Sequence, residues 1–151
     1  LYRAGLVPVM QPALALFAEE KTTMEATLAA FATGKIKACS DLGAAGIGAA
    51  VCESARFGGL GARVELDKVP VREANITPEE IFICETQARM LLQVQPKDVD
   101  EVLEAIRSKN GIAAVIGEIS DQDYNVFSYQ GQKVATIVNK PSPELLQELM
   151  V

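Results

Sequence analysis

The chain has 151 residues, of which 49% are hydrophobic and 23% are charged, and its formal net charge is −6. These values are typical of one globular domain with its own core, and the acidic balance excludes a general basic surface for nucleic acid. No apolar run is long enough to span a bilayer, so we expect neither a membrane nor a nucleic acid as partner.

The sequence contains no histidine and three widely spaced cysteines, Cys39, Cys52 and Cys84. Their odd number and the absence of a C-x-x-C pair favour free thiols in a reducing compartment, which predicts a cytoplasmic protein. Without histidine, Ser-His and Cys-His nucleophiles are excluded. Any chemistry must therefore use carboxylates, a metal, or residues supplied by another chain or domain.

The first residues of the chain bear on its domain organisation. It begins with Leu1 rather than Met and shows no signal-peptide pattern, so we expect a piece of a longer protein. Residues 1–20 are rich in Ala, Pro and Leu, and Pro8 and Pro12 interrupt any regular element. We therefore predict a linker or lid over residues 1–20 and a single domain over residues 21–151.

The first half of that domain alternates helices and short strands. Met24, Leu28 and Phe31 fall at helical spacing, and Gly34 ends that helix. The pattern then predicts, in order, a strand over residues 35–39, an alanine-rich helix over residues 45–57 that is ended by glycines 58 and 59, and a half-buried strand over residues 62–66.

The second half opens on a capping box, with Thr77 as N-cap, Pro78 at the first helical position and Glu80 three residues after the cap. There follow a strand over residues 88–95, a helix after Pro96, a strand over residues 112–119, a hairpin from strands 124–129 and 133–138, and a short last helix at residues 142–143 and beyond. This order predicts an α+β fold of mixed α/β layers, in which helices pack against a mixed sheet.

The segment from Ser40 to Gly46 reads Ser-Asp-Leu-Gly-Ala-Ala-Gly and lies between a strand and a helix. A glycine turn exposes backbone N–H groups, the start of a helix favours negative charge, and Asp41 can hold a hard cation against a phosphate. The segment therefore predicts an anion and metal site, although Asp41 could instead simply cap the helix.

A second polar segment, Glu85-Thr86-Gln87, follows the capped helix. A Glu and a Gln this close together offer acceptors and donors suited to a ribose or an amide. The alternative is that Glu85 and Gln87 are solvated residues at a helix end.

Four segments in one order, residues 41–46, 59–61, 66–73 and 85–90, closely resemble phosphoribosylformylglycinamidine synthase. The matching part of that family is the first C-terminal-type domain of the synthetase subunit (subunit II), within the aminoimidazole ribonucleotide synthetase superfamily. The resemblance extends from about residue 21 to residue 120.

The resemblance implies roles for four residues. Asp41 corresponds to a magnesium ligand, and Glu85, Thr86 and Gln87 correspond to the family's E-S-Q triplet, which contacts the substrate. Thr86 replaces the usual serine and keeps its hydroxyl. The resemblance assigns no catalytic residue and no ATP-binding residue to this chain.

The family is an ATP-dependent amidoligase of purine biosynthesis that converts formylglycinamide ribonucleotide to its amidine with ammonia from glutamine. The resemblance implies Mg²⁺ and ATP as cofactors, with ATP bound mainly by a preceding domain that also carries the catalytic histidine. It further implies a glutaminase subunit and a small accessory subunit as partners. This chain would supply part of the substrate and magnesium contacts and would be inactive alone.

Two alternatives remain at this point. The chain could be a non-catalytic ligand-binding or regulatory α+β module in which Asp41 and Glu85 are structural. It could also come from another synthetase of the same superfamily, against which the segment Glu-Thr-Gln-Ala-Arg-Met at residues 85–90 argues.

Overall fold

The structure is a computed structural model that describes residues 5–10, 16–71, 75–85 and 88–140. The helices are α1 (Leu16–Ala32), α2 (Gly46–Phe57), α3 (Pro78–Ile83) and α4 (Val99–Arg107). The strands are β1 (Gly5–Met10), β2 (Ile36–Asp41), β3 (Gly61–Glu65), β4 (Met90–Val94), β5 (Ile112–Ala113), β6 (Gly117–Ser120), β7 (Tyr124–Tyr129) and β8 (Gln132–Val138).

Within the described residues, the strands form one 8-stranded sheet in the order β2-β4-β1-β6-β3-β7-β8, and β5 pairs with β1 beside β6. β3 and β7 run parallel, whereas the other pairs are antiparallel. The sheet is therefore mixed, and with its helices it confirms the predicted α+β fold.

Strand β1 corrects the prediction that residues 1–20 form a linker or lid. Residues 5–10 pair with β4 on one side and with β5 and β6 on the other, and α1 begins at Leu16. Pro8 is tolerated in the strand because β6 pairs with Gly5 and Leu6, whereas β5 pairs with Val9 and Met10. Pro8 thus falls in the gap between these two neighbours. The limits of the single domain predicted over residues 21–151 stay a prediction.

Helices cover both faces of the sheet, as the neighbours Leu91 and Leu92 of β4 show. Leu91 packs into a core with residues of α2 and α3, whereas Leu92 packs into a second core with residues of α1 and α4. Successive side chains of a strand point to opposite faces, so the two cores lie on opposite sides of the sheet. The larger core surrounds α2, and its centre includes Ile47, Val51 and Phe127.

Helix α1 forms as predicted, yet the three larger apolar residues whose spacing predicted it face outward. Met24, Leu28 and Phe31 are 59%, 61% and 47% exposed, whereas Ala26 and Ala30 are fully buried. A Cβ placed on Gly111 would lie 2.7 Å from the Cβ of Ala26, so the helix approaches that backbone too closely for larger side chains. Close packing therefore selects the alanine face of α1.

The local signals of the second half are largely confirmed. Thr77 and Glu80 form the reciprocal capping box. The β7–β8 hairpin turns at Gln130 and Gly131, which both have positive φ, as this type of hairpin turn requires. The strand predicted over residues 112–119 is divided into β5 and β6. The predicted last helix, at residues 142–143 and beyond, lies outside the described residues.

No helix in the described part of the chain has the length and apolar character that crossing a bilayer requires.

Candidate functional site

The turn between β2 and α2 is anchored at both ends by backbone hydrogen bonds. Asp41 pairs with Met90 in the β2–β4 ladder, and the Leu42 N–H donates to the Arg89 carbonyl at 3.1 Å. The Gly46 N–H donates to the Gly43 carbonyl at 3.0 Å and closes the turn. The side chain of Leu42 is buried in the larger core. The strand end and the start of α2 are therefore held in a fixed relation.

Asp41 lies at the exposed rim of this turn. Its carboxylate accepts no hydrogen bond from any described residue, and a Cβ on Gly43 would lie 3.1 Å from Oδ2. The N–H groups of Gly43 and Ala44, both exposed, likewise donate to no described residue. The turn thus presents an available carboxylate beside available backbone donors, which can serve a cation and an anion respectively.

Asp41 does not cap α2, contrary to the alternative left open by the sequence. The N-cap residue is Ala45, with φ of 57°, and no side chain of its own supplies a cap bond. Gly46, the first residue of the helix, also has a left-handed φ of 55°. This backbone turns the chain sharply into α2 and leaves the Asp41 carboxylate unused by the helix.

Glu85 reaches the same turn from the segment after α3. Its Oε1 accepts a hydrogen bond from the Ala45 N–H at 3.0 Å, across 40 positions of sequence. The carboxylate therefore lies at the N-terminus of α2, where the helix dipole favours negative charge. The structure brings Glu85 to the turn that carries Asp41. Thr86 and Gln87, the other predicted substrate residues, lie outside the described residues.

Two glycines of α2 allow the close approach of the Glu85 segment, and sequence reasoning missed this role. A Cβ on Gly46 would overlap the Cys84 carbonyl group, and a Cβ on Gly48 would lie 2.5 Å from the ring of Phe82. That ring packs edge-on against Phe127, with centroids 4.8 Å apart. The spacing Gly46-x-Gly48 in an alanine-rich helix was the available signal for a neighbour in close contact.

Arg89 is a further site residue that sequence reasoning quoted in a motif without giving it a role. It is only 4% exposed, and its Nη2 donates to the Cys84 carbonyl. Burial lowers the pKa of the guanidinium from its ordinary value, although the neighbouring Cys84 opposes this shift. A buried charged side chain in the middle of a polar segment signals a directed contact.

The described residues contain no group of three or more Asp, Glu, Cys or His placed to hold a metal. The turn instead offers one exposed carboxylate, that of Asp41, beside the exposed backbone of Gly43 and Ala44. It fits an ion that takes one or two carboxylates and completes its shell with phosphate oxygens and water, as Mg²⁺ does.

An open groove elsewhere on the sheet contains neither Asp41 nor Glu85. It is formed by β3, β6 and β7 and is bordered by the start of α4. Its charged lining residues are of both signs: Arg63, Glu65, Lys68, Asp100 and Glu118. The candidate site is therefore the turn after β2, which carries Asp41 and is reached by Glu85.

Comparison with known sequences identifies close relatives of this chain. It is 45% identical over 118 residues to phosphoribosylformylglycinamidine synthase subunit PurL of Methanosarcina acetivorans, and 44% identical over 118 residues to the same subunit of Pyrococcus abyssi. Each alignment covers 78% of this chain but only 16% and 17% of the relatives. The chain therefore spans about a sixth of the length of the curated relatives it matches.

Solved structures show the same architecture. Thermotoga maritima PurL complexed with ADP superposes with a TM-score of 0.83 at 30% identity, covering 90% of this chain and 24% of that one. PurL of T. maritima complexed with FGAR superposes with a TM-score of 0.81 at 26% identity, covering 91% and 27%. E. coli HypE, at 16% identity and a TM-score of 0.70 over 95% of this chain and 52% of that one, shares the fold.

Residues 8–130 match the family model described as AIR synthase related protein, C-terminal domain. Since this match extends over most of the chain and begins inside β1, the chain belongs to the family of AIR synthase related proteins, as their C-terminal domain.

Proposed function

We propose that this chain supplies part of the substrate and magnesium contacts of a phosphoribosylformylglycinamidine synthase. That enzyme is an ATP-dependent ligase of purine biosynthesis, which converts formylglycinamide ribonucleotide to formylglycinamidine ribonucleotide with ammonia from glutamine. The relatives named PurL, and the similar structure of PurL complexed with FGAR, support this proposal. The observation that carries it is the turn at Asp41, where a carboxylate and N–H groups that have no hydrogen-bond partner among the described residues face solvent beside Glu85.

In this proposal Asp41 holds Mg²⁺, and Glu85, Thr86 and Gln87 contact the ribonucleotide. When bound, magnesium neutralises phosphate charge and orients the phosphate. The N–H groups of Gly43 and Ala44 offer donors to an anion at the start of α2. Glu85 fixes the turn through the Ala45 N–H, so that the carboxylate of Asp41 is presented in a constant position.

The remaining parts of the reaction lie outside this chain in our proposal. ATP is bound mainly by a preceding domain, and ammonia arrives from a glutaminase subunit assembled with a small accessory subunit. The solved structure of PurLQS from Thermotoga maritima contains a similar fold, at a TM-score of 0.82 and 28% identity, which supports a multi-subunit assembly. Cys39 and Cys52, which form no disulfide with a described residue, support a cytoplasmic location.

The test replaces Asp41 with Asn in a complete synthetase that contains this sequence. Loss of a hard anionic ligand should raise the magnesium concentration needed for half-maximal activity by about tenfold or more. Asp121→Asn, which removes another exposed carboxylate outside the turn, is the matched control and should leave the required magnesium concentration unchanged. An unaltered magnesium dependence in Asp41→Asn would contradict the proposal.

A second experiment uses the 151-residue chain alone. It has no histidine and no G-x-x-x-x-G-K-[ST] loop, so we expect no amidine formation from ATP, Mg²⁺, ammonia and substrate. Turnover at an ordinary enzyme rate would show that the chain carries the whole catalytic centre.

A further inference from the structure

We infer that Arg89 is a positioning residue, whose buried guanidinium holds the Cys84–Glu85 backbone so that the Glu85 carboxylate stays on the turn after β2. This inference rests on the proposed function and deepens it. Arg89 bonds both parts of the site: its Nη2 donates to the Cys84 carbonyl, and its own carbonyl accepts the Leu42 N–H at 3.1 Å. One residue therefore links the glycine turn to the segment that carries Glu85.

The Cys84 carbonyl is the fixed point of this arrangement. The guanidinium of Arg89 contacts it, and Gly46 approaches it so closely that a Cβ would overlap it. Glu85 follows directly in sequence and reaches the Ala45 N–H, one residue before Gly46. A shift of the Cys84 carbonyl would therefore move the Glu85 carboxylate relative to the start of α2.

The chemistry of arginine favours this role over simple filling of space. Arg89 is 4% exposed, and removing a charged group from water is costly unless hydrogen bonds replace its hydration. A guanidinium offers five donors in a rigid plane, so it can fix a carbonyl in direction as well as in distance. A Met of similar length would fill the volume but would donate nothing to Cys84.

The test compares Arg89→Met and Arg89→Lys in a complete synthetase that contains this sequence. Arg89→Met should raise KM for formylglycinamide ribonucleotide by about tenfold while KM for ATP stays within about twofold, because the lost bond positions Glu85, whereas ATP is bound mainly by a preceding domain in our proposal. Arg89→Lys keeps a charged donor and should recover part of the loss, with KM raised about threefold.

Two further variants separate positioning from general destabilisation. Ile106→Ala removes a fully buried side chain from the other core and should leave the ratio of the two KM values unchanged despite lower stability. If Arg89 acts through Glu85, the double variant Arg89→Met/Glu85→Ala should have the same substrate KM as Glu85→Ala alone.

The outcomes are distinguishable. Suppose that Glu85→Ala raises the substrate KM. If Arg89→Met then leaves the substrate KM unchanged, or raises the KM values for substrate and ATP equally, the role of Arg89 is wrong and the proposed function stands. If Glu85→Ala has no effect on the substrate KM, the substrate role proposed for Glu85 is overturned, and the inference with it. If Arg89→Met does not fold, Arg89→Lys decides by the same split between the two KM values.

Discussion

Glu85 Oε1 accepts a hydrogen bond from the Ala45 N–H at 3.0 Å, which places a carboxylate at the N-terminus of α2. The helix has no acidic residue in its first turn and no side-chain cap of its own. Glu85 therefore does from a distant segment what the third-position Glu of a capping box does locally, since it accepts the N–H of the N-cap residue. The bond also makes the geometry of the Asp41 turn depend on the segment after α3.

Replacing Glu85 should separate the hydrogen bond from the charge. In the chain alone, Glu85→Ala should lower the free energy of unfolding by about 1 kcal/mol, since it loses both an N-terminal hydrogen bond and a favourable charge. Glu85→Gln keeps an acceptor and should lose about half as much. The measurement is the urea midpoint of each variant, and added salt should shrink the difference between wild type and Glu85→Gln. Equal midpoints for all three proteins would show that the bond contributes nothing to stability.

Replacing Gly46 should test the contact with Cys84. Gly46→Ala combines a left-handed φ of 55° with a Cβ that overlaps the Cys84 carbonyl, so we expect a loss of about 2–4 kcal/mol. Gly59→Ala is the matched control, because its φ is 66° and a Cβ there would meet nothing within 4 Å. It should cost only about 1 kcal/mol, the penalty for the backbone conformation alone. Similar losses in thermal unfolding for both variants would contradict the close contact.

Local patterns predicted much of this fold because their physical cause lies within a few residues. The capping box of Thr77 and Glu80 is complete in four residues, and the hairpin turn at Gly131 needs only a residue that tolerates positive φ. Asp41 was likewise placed at a strand end from the pattern of the preceding residues. In each case the sequence neighbours decide the conformation.

The contacts that define the site were not predictable in this way. Glu85 reaches the N–H of Ala45 because β4 lies beside β2, which places Arg89, the residue before β4, next to Leu42. The place of β1 in the sheet was missed for a similar reason. Proline is unfavourable in most strands, and Pro8 is tolerated here because it faces the gap that β5 and β6 leave along β1. Both features depend on strand order, which local patterns do not determine.

Cys52 should make the stability of the chain sensitive to alkaline pH. Burial, followed by the nearby charge of Glu53, raises the pKa of its thiol from 9.0 to about 11. The folded state therefore favours the protonated thiol, and this contribution to stability is present below pH 9 and is lost as the pH rises towards about 11.

The measurement for Cys52 is the urea midpoint at pH 8 and at about pH 10.5, where the unfolded thiol is ionised. Wild type should lose more stability over this interval than Cys52→Ala. Cys39, whose pKa is also raised by burial and by Asp41, remains in both proteins and contributes equally to each. Parallel pH profiles for wild type and Cys52→Ala would contradict the raised pKa.

The orientation of α1 gives a last prediction, because Met24, Leu28 and Phe31 face outward while Ala26 and Ala30 face the core. Leu28 is 61% exposed, so Leu28→Lys should change the free energy of unfolding by no more than about 0.5 kcal/mol. Ala26 is fully buried beside Gly111, so Ala26→Leu should cost about 1–3 kcal/mol by overpacking. Urea denaturation of both variants measures the two effects on one helix. The opposite ranking would mean that α1 turns its leucine face inward, towards α4, and that the alanine face is the surface.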